Sequence, residues 1–128
     1  MSLTQEKIKQ WATAYIEAQQ RSSTIEADNP LWWAIERFMN VYEQQEAEDA
    51  WAAILEILAR KPSTQVIGML AAGPLEDLIA EWGTLFIERI ELEARQNPEF
   101  RHILGGVWQN GSTAEIWERI EKSRGKPW

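Results

Sequence analysis

Apolar residues recur at intervals of three and four along nearly the whole chain, and no useful length alternates apolar with polar. That spacing lays a single apolar stripe on a helix, whereas a half-buried strand needs a period of two. The pattern therefore restricts the chain to an all-α fold. With 128 residues, 45% of them hydrophobic, one domain spanning residues 1–128 is expected, burying roughly two-thirds of its unfolded surface. The expected architecture is a compact array of about six to eight short helices packed as antiparallel hairpins. A solenoid-like stack and an irregular bundle compete equally, because no internal repeat singles out the former.

Local chemistry divides the stripe into segments. Ser2 and Gln5 have capping-box spacing, and Ile8, Trp11, Ala12 and Tyr15 then form one face of a first helix over residues 4–20. The pattern lapses over residues 21–27, which read as a loop. Asp28 or Asn29 can cap a second helix with Pro30 in its first turn. Its stripe is Leu31, Ile35, Phe38, Met39 and Tyr42. Trp32 and Trp33 stand about 100° apart on that helix, so one is expected in the core and the other beside a partner or second layer. Helical steps carried onward land on Glu46, Asp49 and Glu56, whereas the apolar residues are Ala47, Ala50, Trp51, Ile54, Leu55 and Leu58. A single rod over residues 30–60 would also run ~46 Å, against a radius of gyration of about 14 Å for such a domain. A break near residues 44–46 follows.

Pro62 stops the third helix, and Ser63 or Thr64 caps a fourth through Val66, Ile67, Leu70 and Ala71. Gly73-Pro74 reads as a structural joint. Gly73 suits the left-handed residue that ends a helix, and Pro74 the first turn of the next. Glu76 and Asp77 place negative charge on the new helix's open N–H groups, which also opposes an anion there. Leu75, Leu78, Ile79, Trp82, Leu85, Phe86 and Ile90 stay in phase to residue 96. Phase does not decide whether Gly83 breaks this run, and its cost of about 1 kcal/mol relative to Ala tips the reading towards a break. Asn97-Pro98 starts a helix ended by Gly105-Gly106, and Ser112 with Glu115 boxes the last one. Trp128, at the end of a turn-rich tail, can fold back.

Composition limits function. The absence of cysteine excludes disulfides, thiol catalysis and thiolate metal sites. No apolar run resembles a signal peptide or a membrane span, so a cytoplasmic protein with no membrane partner is expected. The net charge of −7 disfavours nucleic acid, leaving only Arg119, Lys122, Arg124 and Lys126 as a local basic patch, and it suits a basic protein partner. Eight tryptophans point to a core built around indoles.

Catalytic and metal chemistry find no foothold. The lone His102 has no serine on a strained turn to serve, and one histidine cannot complete a di-iron site. Glu88 and Glu91 share a helix face, as do Glu115 and Glu118, but Arg89 and Arg95 stand among the first pair, as on a solvated surface. Gly105-Gly106 follows a helix and lacks the phosphate-loop signatures. No catalytic residue, metal ligand or cofactor is therefore assigned. Trp32, Trp33, Trp108 and Trp128 remain as a candidate interaction surface, since Trp anchors interfaces, although most indoles are expected in the core.

The segments Ala71-Ala72-Gly73-Pro74-Leu75-Glu76-Asp77-Leu78, Phe86-Ile87-Glu88-Arg89-Ile90-Glu91 and Asn97-Pro98-Glu99-Phe100-Arg101 resemble an uncharacterised bacterial family. Leu104-Gly105-Gly106-Val107-Trp108 and Trp117-Glu118-Arg119 are similar too, so the likeness covers roughly residues 51–119. That family is a domain of unknown function whose members are small, helical and cytoplasmic, and it transfers no substrate, cofactor or catalytic residue. Two readings follow. One is a protein-interaction module, adaptor or immunity-like. The alternative is a hydrolase or ligand-binding domain with an acidic helical pocket formed by Glu88 and Glu91 with Glu76 and Asp77.

Overall fold

The computed structural model describes residues 3–21 and 28–128. Ser2, one arm of the expected first capping box, and residues 22–27 of the expected loop lie outside the described residues. Among the described residues every regular element is a helix and there is no strand. It divides into two compact units, residues 1–69 and 70–128.

In the first unit, α1 (Gln5–Arg21) packs against α2 (Trp32–Met39) and α3 (Gln44–Ala59). Thr4 caps α1, its hydroxyl accepting from the Lys7 amide at 3.2 Å. The expected face Ile8, Trp11, Ala12 and Tyr15 is buried. Phe38 from α2 lies 4.4 Å from the Trp11 ring and edge-on to Tyr15 at 5.2 Å. The Trp11 indole donates to the Ala34 carbonyl at 2.8 Å, so this large buried ring leaves no polar atom unpaired.

Asn29 shapes the entry to α2, its side chain accepting from the Leu31 amide and its carbonyl from Trp32. The apolar stripe ends sooner than expected. Ala34, Ile35 and Phe38 are buried, but Met39 is exposed and Tyr42 is 75% exposed. The backbone turns out of the helix at Asn40, so Tyr42 is no longer in phase with the face. The connection to α3 therefore occupies residues 40–43, just ahead of the expected break. Glu46 fixes the start of α3, its carboxylate accepting from the amides of Tyr42 and Glu43 at 3.0 Å each. Ala47, Ala50, Trp51, Ile54 and Leu58 are buried and Leu55 half-buried, as the phase requires. Beyond Pro62, Ser63 caps α4 (Thr64–Leu70) through the Val66 and Ile67 amides.

The second unit is arranged around α5 (Glu76–Gln96), against which α6 (Pro98–Leu104) and α7 (Ala114–Ser123) pack. Three local expectations are corrected in it. Gly73 does not end a helix: its φ is not positive, and Ala71–Leu75 form a π-helical turn with Pro74 inside it. Proline cannot donate to the carbonyl four residues back, and its ring collides with that carbonyl. Widening the turn resolves both, and the Glu76 amide donates to Ala71, five residues back.

Gly83 does not break α5, which runs unbroken for 21 residues. It is buried, and a Cβ placed on it would stand 3.0 Å from Cγ2 of Ile116 on α7. The residue is missing a side chain because a neighbouring helix occupies that space. The cap of α7 is Thr113 rather than Ser112, the Thr113 hydroxyl accepting from the Ile116 amide at 3.2 Å. The Asn97 cap of α6 forms as expected, accepting from Glu99 and Phe100.

Candidate functional site

The segment between α6 and α7 carries the most exposed indole of the chain. Gly105 and Gly106 end α6, Val107 is buried, and Trp108 then turns outward with 74% of its surface exposed. Gly111, at φ +87°, supplies the left-handed backbone that brings the segment round to Thr113. Glu76, in the first turn of α5, braces this path. One carboxylate oxygen accepts from the Trp108 amide at 3.0 Å and the other from the Asn110 side-chain amide at 3.4 Å. The expected role of Glu76, facing the open amides of its own helix, is thus replaced by a bond to backbone 32 residues away.

The tail closes on the same segment. The Trp128 amide donates to the Gly105 carbonyl at 2.9 Å, and its indole donates to the His102 carbonyl at 3.1 Å. The Trp128 ring lies over Gly106 so closely that a Cβ there would penetrate it, and a Cβ on Gly105 would meet the Lys126 carbonyl at 2.5 Å. Glycine at both positions is explained by this approach, since neither has a positive φ. Trp128 folds back as expected and still exposes 53% of its surface, with the exposed His102 ring 5.2 Å away. Two partly exposed indoles are therefore held on one short stretch, Gly105 to Trp108.

The other two candidate tryptophans belong to the first unit. Neither is in the core. Trp32 is half-buried and donates its indole N–H to Glu36, one turn on, while Trp33 is 38% exposed with the Arg37 guanidinium 5.3 Å from its ring centre. The expected core placement is thus not found for either ring, each makes a contact within α2, and Trp33 stays exposed.

The four acidic candidates divide as well. Glu76 and Glu91 stand at opposite ends of a stretch of α5 that rises ~22 Å. Glu91 is engaged bidentately by Arg119 of α7, at 2.9 and 2.6 Å, and this fork holds its carboxyl below the ordinary value. Glu88 is exposed. Asp77 is pushed above its ordinary 3.8, chiefly by partial burial and then by the charges of Glu76 and Glu81. Negative potential thus gathers at the start of α5, beside the braced Trp108 segment. Among the described residues no three His, Asp or Glu side chains are grouped to hold a metal ion, and no helix is long and apolar enough to cross a membrane. Of the expected basic patch, Arg119 pairs with Glu91, Lys122 with Glu118 and Arg124 with Glu121.

Sequence reasoning did not foresee the Glu76–Trp108 brace. Asn110-Gly111 is a residue pair suited to a turn, but nothing local names the partner that braces the segment. No curated protein and no solved structure matches the chain. A family model does match, over residues 19–128, a longer span than residues 51–119 and one that adds α2, the first part of α3 and the tail. The chain belongs to DUF6869, a family of unknown function.

Proposed function

We propose that the chain is a small bacterial, cytoplasmic protein-interaction module, adaptor or immunity-like, which takes a basic partner on the Trp108 face of its second unit. The observation that carries this reading is the contrast at Trp108 between a fixed backbone and a free side chain. An indole displayed on a braced segment loses little conformational freedom on docking, and Trp is the residue most often found at the energetic centre of interfaces. Glu76, Asp77 and Glu81 supply the adjoining negative potential, which speeds encounter with a cationic surface and makes binding salt-dependent. Trp128 extends the aromatic area from the same stretch. An acidic pocket has less support, because Glu91 is engaged by Arg119 and Glu76 by the Trp108 segment.

Affinity capture from native cells tests this reading. The unaltered chain should retain a basic protein at low salt and release it as salt rises. Trp108→Ala should weaken that complex by about thirtyfold or more, the effect of losing 2 kcal/mol at a hot spot, without lowering thermal stability. Equal capture by both chains, or no partner at any salt, refutes the proposal.

A further inference from the structure

A cavity of about 320 Å³ opens between the C-terminal ends of α5, α6 and α7, lined by Glu91, Ala94, Arg95, Arg101, Lys122 and Ser123. We propose that it binds a small ligand carrying a phosphate monoester. The charge of its wall is the first argument. Three cations, one from each helix, face a single carboxylate, and both oxygens of that Glu91 carboxylate are already taken by the Arg119 fork.

Cations near helix C-termini ordinarily complement the helix dipole and point into solvent. Convergence of three of them on one concavity exceeds that explanation. Neither Arg95 nor Arg101 donates to a carboxylate among the described residues. Lys122 pairs with Glu118 on its own helix, at 3.2 Å with both side chains largely exposed, a pairing that water and salt screen heavily.

The donor set favours phosphate over a carboxylate. Two guanidiniums and an ammonium line the cavity from three different helices, and Ser123 adds a hydroxyl, more donors than the two oxygens of a carboxylate would use. The volume exceeds what a bare phosphate fills, and Ala94 supplies an apolar wall for a small organic group. A concavity of this size admits a small molecule and not an extended chain. The opposing charge of the Trp108 face makes this a separate site within the same unit.

The full-length chain, labelled with ¹⁵N, is titrated at low ionic strength with inorganic phosphate, phenyl phosphate and succinate. The arginine Nε–H signals of Arg95 and Arg101 and the Ser123 amide are followed. Saturable shifts at these three positions are expected with both phosphates, phenyl phosphate binding more tightly. The double variant Arg95→Gln, Arg101→Gln should bind phenyl phosphate about tenfold more weakly or worse, as loss of charge-assisted hydrogen bonds implies, with its melting temperature unchanged. Non-saturating shifts in the unaltered chain overturn the proposal without recourse to any variant. So does succinate binding as tightly as phenyl phosphate, or undiminished binding by a well-folded double variant.

Discussion

Replacing Gly83 by alanine sets two physical effects against each other on one helix. Alanine gains about 1 kcal/mol over glycine inside a helix, and α5 is continuous through this position. Against that gain, the new Cβ would stand 3.0 Å from Ile116 Cγ2 and 3.9 Å from Ile79 Cγ2. Carbon atoms pack best at about 3.5–4.0 Å, so the second contact is ordinary and the first is roughly half an ångström too close. Ile116 is buried and α7 is packed against α5, so relief requires a helix shift or a poor rotamer. Overpacking of this kind costs about 1–3 kcal/mol, leaving Gly83→Ala between neutral and ~2 kcal/mol less stable.

Gly73→Ala provides the control. A Cβ there meets nothing within 4 Å, and φ is not positive, so only the helical gain of about 0.5–1 kcal/mol remains. Urea denaturation followed by circular dichroism and tryptophan fluorescence should place the Gly73→Ala midpoint above that of the unaltered chain and the Gly83→Ala midpoint at or below it. Ile116→Leu, which removes the offending branch at low cost, should restore stability to Gly83→Ala more than it alters the parent. Stabilisation by Gly83→Ala equal to that of Gly73→Ala, or strict additivity with Ile116→Leu, would refute the close approach of α7 to α5.

Three further outcomes are expected. The fork from Arg119 lowers the Glu91 pKa, so this carboxylate contributes stability above the unfolded value of 4.5 and loses it as pH falls through the lowered one. Glu91→Gln should accordingly flatten the acid limb of a melting-temperature profile below about pH 4.5. Asp77 has the opposite sign: its pKa is raised, so its charge is a penalty at neutral pH that protonation relieves on acidification. Asp77→Asn should raise the melting temperature at pH 7, with the gain fading towards 3.8, and a constant gain would contradict the account. Glu76→Ala removes both bonds that brace the Trp108 segment. It should lower stability by about 1 kcal/mol and accelerate hydrogen exchange at the Trp108 amide more than at the α5 interior.

The parts of this molecule legible from sequence are those decided within one helical turn. Asn97-Pro98 caps α6 because the accepting oxygen and the donating amides lie two and three residues apart. The out-of-phase stripe before Ala47 separated α2 from α3 because phase is a local quantity. The structure departs from the local preference where a distant neighbour overrules it. Glycine at 83 weakens an isolated helix, yet Ile116 makes it the residue that fits. Gly73-Pro74 carries the residues of a helix stop, yet a wider turn accommodates the proline and the helical backbone continues. Ser112 and Thr113 both offer a hydroxyl at a plausible cap, and residue types alone do not choose between adjacent registers. For the candidate site, aromatic type marked Trp108 and Trp128, whereas the brace from Glu76 depends on tertiary pairing that leaves no periodic trace. The cationic cavity was equally hidden, since Arg95, Arg101 and Lys122 converge only after three helices pack.

Glu76 grips the main-chain amide of residue 108 and makes no demand on what that residue carries. Any amino acid with an amide hydrogen could stand there and be presented in the same pose, and proline alone is barred. Frame and display are thereby uncoupled: the side chain at 108 can be exchanged without re-solving the fold, and on the proposed reading that exchange changes the partner and leaves the scaffold as it is. A randomised library at this single position would therefore sample recognition on a constant scaffold.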